Sequence, residues 1–170
     1  GLTYPDSATN PIAIDIVPIV GAVTTFPWTI PDALSSQVRV KVTDQSAPTV
    51  YSESDGPNDG DNTIRGVLSI TDLPAVMRVD DIVPVSWSVD EGSVNKIDLE
   101  FSVNGAGYQF CKNASNQDAD GLAAGSSPFN WKVGDGINGN VVVRVSSDDE
   151  VDEPAKVAIT SPFEIKGRLT

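Results

Sequence analysis

Histidine is absent from the 170 residues. With it go the usual general base, the common nucleophile triads and the commonest transition-metal ligand. Cysteine occurs once, at Cys111, so no disulfide can close within the chain. Were the chain to act outside the cell, the lack of disulfides would point to a prokaryotic source. Basic residues are scarce: 11 Lys and Arg stand against 24 Asp and Glu, and the net charge of -13 repels nucleic-acid phosphates and anionic membrane surfaces. Long apolar runs are missing too. The most apolar stretch, Pro11 to Val23, is interrupted by Asp15 and Pro18 and falls short of the roughly 20 residues a membrane helix needs. No nucleic-acid partner and no membrane insertion are expected.

What is present is turn chemistry and alternation. The acid is mostly aspartate, set beside Gly, Asn, Pro or Ser, which places it in loops rather than helices. Phe26-Pro-Trp28-Thr-Ile30-Pro-Asp32 matches Phe129-Asn-Trp131-Lys-Val133-Gly-Asp135 without a gap, 103 residues apart. At the same offset Val38, Val40 and Val42 meet Val141, Val143 and Val145, and slightly further on Ile64-Arg-Gly66-Val-Leu68 meets Ile165-Lys-Gly167-Arg-Leu169. A period near a hundred residues is one sandwich domain rather than one solenoid turn. Within the second copy, Val83, Val85, Trp87 and Val89 alternate with polar or small residues, as do Ile97, Leu99, Phe101 and Val103 up to the turn dipeptide Asn104-Gly105. Phe129, Trp131 and Val133 give a further strand, Val141, Val143 and Val145 another, and Val157, Ile159, Phe163 and Ile165 close the copy. The pattern predicts an all-β chain of tandem immunoglobulin-like antiparallel β-sandwich units, the first incomplete. Residues 1–66 form the partial unit with its apolar N-terminal segment, and 67–170 the complete one, with a short junction near Ile64 to Leu68. The first copy has no counterpart of the Trp87 strand or the Ile97 to Val103 strand, so the chain reads as beginning mid-repeat and as cut from something longer.

Gly66-Val-Leu68-Ser-Ile70, Val85-Ser-Trp87, Ile97-Asp-Leu99-Glu-Phe101, Val141-Val-Val143-Arg-Val145 and Ser161-Pro-Phe163-Glu-Ile165 together resemble the extracellular immunoglobulin-like or fibronectin-III-like tandem repeats of large bacterial surface proteins. The pattern is similar to that of Kre9/Knh1-like cell-wall repeats. The resemblance covers the whole second unit and implies a fold and an extracellular or cell-surface setting, not an activity.

The sharpest local motif is Asn116-Gln-Asp118-Ala-Asp120-Gly121, whose alternate oxygen ligands and glycine match the first half of a calcium loop. Its twelfth position is Ser127, where a full loop has a bidentate Glu, so calcium binding by Asn116, Asp118 and Asp120 stands beside the reading of a solvated, Asx-rich turn. No cofactor is expected, with calcium as the one open alternative. Two further acidic clusters, 55–61 and 148–153, offer carboxylates at loops. Trp28, Trp87 and Trp131 lie in phase with apolar neighbours and read as core rather than sugar platforms. Cys111 has only Lys112 beside it and reads as inert. Asn113-Ala-Ser115 is a formal glycosylation acceptor.

No polar constellation repeats with the core positions, and Asp98 and Glu100 alternate with Leu99 and Phe101 as the solvent face of one strand. The expected function is therefore a non-catalytic structural or adhesive element, with a carbohydrate-binding module of a larger secreted enzyme as the alternative and a glycan as its partner. Ile12, Ile14, Ile16, Val17 and Ile19 form an apolar strand pattern that should not stay in water. Pairing with other copies of the chain or with adjacent repeats would cover it, and head-to-tail repetition of that pairing builds a filament.

Overall fold

The computed structural model describes residues 25, 27–32, 35–44, 46–54, 62–148 and 157–168. The strand pattern Ile12 to Ile19 lies outside these residues. The chain divides into two compact units, 1–31 and 32–170, so the expected junction at Ile64 to Leu68 falls inside the second. Of the first unit, the described residues carry no strand, and Trp28 is half-buried.

The described chain is all-β. Its first four strands are short: β1 (Ser35–Val38), β2 (Lys41–Thr43), β3 (Tyr51–Glu53) and β4 (Asn62–Ile64). β1 pairs antiparallel with β4 and β2 with β3, and among the described residues these four pair only with one another. The turn after β2 is held by Asp44, whose carboxylate accepts the backbone N–H and the hydroxyl of Ser46. Those bonds favour the charged form and lower the pKa of Asp44.

The remaining strands build a sandwich-like body. Its central pair is β9 (Lys96–Val103) with β13 (Asn138–Ser147). They run antiparallel with Val141 opposite Val103, Val143 opposite Phe101, Val145 opposite Leu99 and Ser147 opposite Ile97. The period-2 alternation sends this set to one face, where Ile97, Leu99, Val141, Val143 and Val145 are fully buried. Two short strands lie end to end on each outer edge of the pair. β10 (Gln109–Phe110) and β11 (Leu122–Ala123) flank β9, while β14 (Ala158–Ile159) and β15 (Phe163–Lys166) flank β13. β6 (Val76–Arg78) completes the sheet by pairing parallel to β15.

Opposite this sheet runs a nearly continuous stretch, β7 (Ile82–Val85) and β8 (Trp87–Glu91), interrupted only at Ser86. β7 pairs with β12 (Phe129–Lys132) and β8 with β5 (Val67–Ile70). The alternation of Val83, Val85, Trp87 and Val89 was expected to make a single strand; the structure divides it between two partners. Pro84 has no N–H with which to extend the β5 pairing along β7, and the Ser86 carbonyl accepts the N–H of Thr71 just past β5. Val85, Trp87, Leu68, Trp131 and Val133 project from this side into the core. The indole N–H of Trp87 is satisfied inside that core by the Ala124 carbonyl at 2.8 Å, as a buried polar group requires. Phe101 and Phe163 pack on Trp131 at centroid distances of 5.4 and 6.3 Å.

The turn dipeptide behaves as expected: Asn104 and Gly105 adopt φ of 53 and 74°, both in the left-handed region that the hairpin between β9 and β10 requires. The repeat counterparts diverge more. Val42 is 67% exposed, whereas Val145, at the matching offset, is 0% exposed.

Candidate functional site

The loop from Lys112 to Gly121 folds back on itself as an antiparallel bridge between Lys112 and Asp118. Its tip is pinned by Asn113, whose side-chain oxygen accepts the N–H groups of Ser115 and Gln117 at 2.9 and 3.0 Å. The Asn113 amide donates to Gln117 Oε1, so the glycosylation-type asparagine has its amide engaged in holding the turn. Asn116 sits at the tip with φ of 61°, exposed to solvent. Ala119 is buried, its N–H bonded to the Cys111 carbonyl and its own carbonyl to the Leu99 N–H. That bonding anchors the second half of the loop against β9.

The three loop residues expected to share a cation are sent to different tasks. Asp118 Oδ1 meets Lys112 Nζ at 2.7 Å. Asp120 instead joins Asp98 from β9 and Asp148 just past β13, the three carboxylates presenting oxygens within 4.8 Å of one another. Asp98 accepts the N–H of Gly121 at 2.8 Å. Gly121 has φ of 58° and lies so close to Asp148 that a Cβ there would stand 3.4 Å from its Oδ2. Neither Asp98 nor Asp148 is near Asp120 in sequence: the antiparallel register of β9 and β13 sets Asp148 near Asp98, and the bonds of Ala119 and Gly121 to β9 bring Asp120 to them. Partial burial raises the Asp98 pKa, the Gly121 N–H works against that rise, and the charges of Asp148, Asp120 and Glu100 add to it. Ca²⁺ takes 6–8 oxygen ligands. Three carboxylates, one also accepting an N–H, supply part of such a set, which backbone carbonyls and waters also fill.

The sign of the Asp98 effect follows from its direction. An acid whose pKa is higher folded than unfolded binds its proton more tightly in the native state, so its contribution to stability declines as pH rises through that window. Asp98→Asn keeps an oxygen for the Gly121 N–H and removes the repelling charge. Thermal melts at pH 7 should show the variant more stable by a few tenths to about 1 kcal/mol, the scale of partly solvated charge interactions. The advantage should shrink as pH falls and Asp98 takes up its proton. A variant less stable at pH 7 would refute the repulsion. A Ca²⁺-induced rise in melting temperature of the parent protein, absent from the variant, would show instead that a cation neutralises the group.

Cys111 is buried, and burial pushes its thiol far above the ordinary range, which fits the expectation of an inert cysteine. Other carboxylates tie loops together. Asp72 accepts the N–H and hydroxyl of Ser161 at 2.6 and 2.9 Å, bonds that lower its pKa. Asp80 Oδ1 meets Lys132 Nζ at 2.9 Å, and that bond, with the lysine charge, lowers the Asp80 pKa. Glu100 and Arg144, directly opposite each other across β9 and β13, join through two guanidinium nitrogens on one oxygen at 2.6 Å.

A cleft of about 650 Å³ opens where the turns at 79–81 and 133–135 face the 109–118 loop, with Phe101 in its floor. No sequence signal marked it, since its walls come from four separate stretches of chain. No protein-family model matches this chain, and no curated protein matches it.

Proposed function

We propose that this chain is a non-catalytic structural or adhesive module of a prokaryotic cell surface, with residues 67–168 forming an immunoglobulin-like sandwich in a tandem array. The observation that carries this reading is the divided opening of the body. β5 pairs with β8 in one sheet, and after a short link β6 pairs parallel with the closing strand β15 in the other. A first strand shared between the two sheets supports the immunoglobulin-like reading. The 103-residue sequence repeat supports the array. Completion by a neighbouring copy belongs to the same reading, supported by the exposure of Val42 where its counterpart Val145 is covered.

A module in a stalk or fibre carries tension from end to end. In a parallel pair, pulling β6 toward its start and β15 toward its end slides one strand along the other, so the linking hydrogen bonds must stretch together. Pulling from Arg78 and Lys166, which are register partners at the same end of the pair, would open them one after another. Single-molecule force measurements should therefore find a higher unfolding force for end-to-end tethers on 67–168 than for tethers at Arg78→Cys and Lys166→Cys. Equal forces in the two geometries would overturn the load-bearing reading.

A further inference from the structure

We propose that the cleft between the 79–81 and 133–135 turns and the 109–118 loop is a binding site for a neutral saccharide. This goes beyond the structural role and stands independently of it. The volume of about 650 Å³ lies within the range of small-ligand sites, which combine an apolar floor with a few placed polar groups. The floor is Phe101, with Phe110 and Val79 beside it, all three half-buried, an apolar surface on which the C–H face of a pyranose can rest.

The rim decides the charge of the ligand. Its two lysines are already matched: Lys112 holds Asp118 at 2.7 Å and Lys132 holds Asp80 at 2.9 Å. An anion entering here would have to displace a carboxylate from its lysine and leave that carboxylate unmatched, and a cation finds only the single exposed carboxylate of Asp135 outside the formed pairs. A hydroxyl is different, because it donates to the carboxylate and accepts from the ammonium of the same pair without breaking it. The rim residues left over fit the same chemistry. Gln109, Asn116 and Asp135 line the cleft, and among the described residues their side chains make no hydrogen bond or ion pair. They present two amides, each both donor and acceptor, and one acceptor. A nucleic acid is disfavoured by the net charge of -13. An extended peptide finds no free strand edge in the loop, because Lys112 is bridged to Asp118 and its carbonyl is taken by the Lys132 N–H at 2.7 Å.

Gly134 provides the decisive variant. A Cβ there would meet only Phe101 Cζ, at 3.9 Å, an ordinary contact, so Gly134→Leu fills the cleft without displacing the core. The whole chain, labelled with ¹⁵N, would be titrated with neutral hexose and N-acetylhexosamine trisaccharides while its amide resonances are followed. At least one probe should give saturable shifts confined to residues around Phe101, Lys112, Asn116 and Gly134, with a dissociation constant at or below about 1 mM. Gly134→Leu and Asn116→Ala should each weaken that binding at least about tenfold while keeping the parent melting temperature and dispersed spectrum. No saturable shift with any probe, or shifts that persist unchanged in Gly134→Leu, would overturn the assignment. A variant of Gly134 that fails to fold leaves Asn116→Ala, on an exposed turn tip, to decide the same question. Failure here would leave the force measurement untouched.

Discussion

Trp131→Ala should remove about 3–5 kcal/mol of stability, the usual cost of deleting a large buried aromatic. That is a large part of the roughly 5–15 kcal/mol by which a domain is stable at all. Trp131 is 1% exposed and is the meeting point of both sides of the body. It lies on β12, opposite Val83 of β7, and packs on Phe101 of β9 and Phe163 of β15. Its removal therefore empties the space between the sheets instead of trimming one of them, and close-packed surroundings refill such a space only in part. Urea denaturation followed by circular dichroism should show the midpoint falling steeply. Trp28→Ala, at the matching repeat position but half-buried in backbone without strand pairing, should cost only about 1 kcal/mol. Similar losses for the two tryptophans would contradict the core assignment of Trp131.

Arg144→Ala should be the most damaging single change at any polar side chain of the body, at about 2–3 kcal/mol. Two guanidinium nitrogens reach one Glu100 oxygen at 2.6 Å, and the same guanidinium lies 3.8 Å over the Tyr108 ring. The Glu100 side chain is only 14% exposed, against 29% for Arg144. Taking away the arginine leaves a largely buried carboxylate without a counter-charge, which is the expensive way to break such a pair. Glu100→Ala leaves the more exposed arginine, still stacked on Tyr108, and should cost about 1–2 kcal/mol. The double variant should then lose less than the sum, with a coupling of about 1–2 kcal/mol in a double-mutant cycle. Strict additivity would mean that the pair contributes nothing beyond its separate side chains.

The strands of the central sheet were legible because each carries its own evidence. Ile97, Leu99 and Phe101 alternate, Val141, Val143 and Val145 alternate, and the structure sets the two runs face to face in register. Asn104-Gly105 announced its turn by residue type alone. What could not be read was any choice between partners. The period of Val83 to Val89 is the same whether the run serves one neighbour or two, so the division at Ser86 between β12 and β5 left no trace in it. The acidic loop shows the same limit. Spacing grouped Asp118 and Asp120 because they are two residues apart, yet a lysine six positions upstream claims Asp118, and the strand register delivers Asp98 and Asp148 to Asp120. By alternation alone Asp98 is an ordinary solvent-face residue of its strand. Local patterns fix which way a side chain points, whereas the neighbours it finds there depend on contacts between distant segments.

The parallel pairing of β6 with β15 also orders events in time. A chain made from its N-terminus completes β6 at Arg78, and β15 begins only at Phe163, roughly 85 residues later. During that interval β5 can find β8, and β9 can find β13, but β6 has no strand to lie against. Met77, buried in the finished body, waits in water for Phe163 and Ile165 to arrive. Non-local closure of this kind is slow relative to hairpin formation, and an unpaired apolar strand is where a growing chain meets the wrong partner. The last strand of the body thus acts as its latch: a nascent chain stopped short of Lys166 holds most of the sandwich and none of its seal.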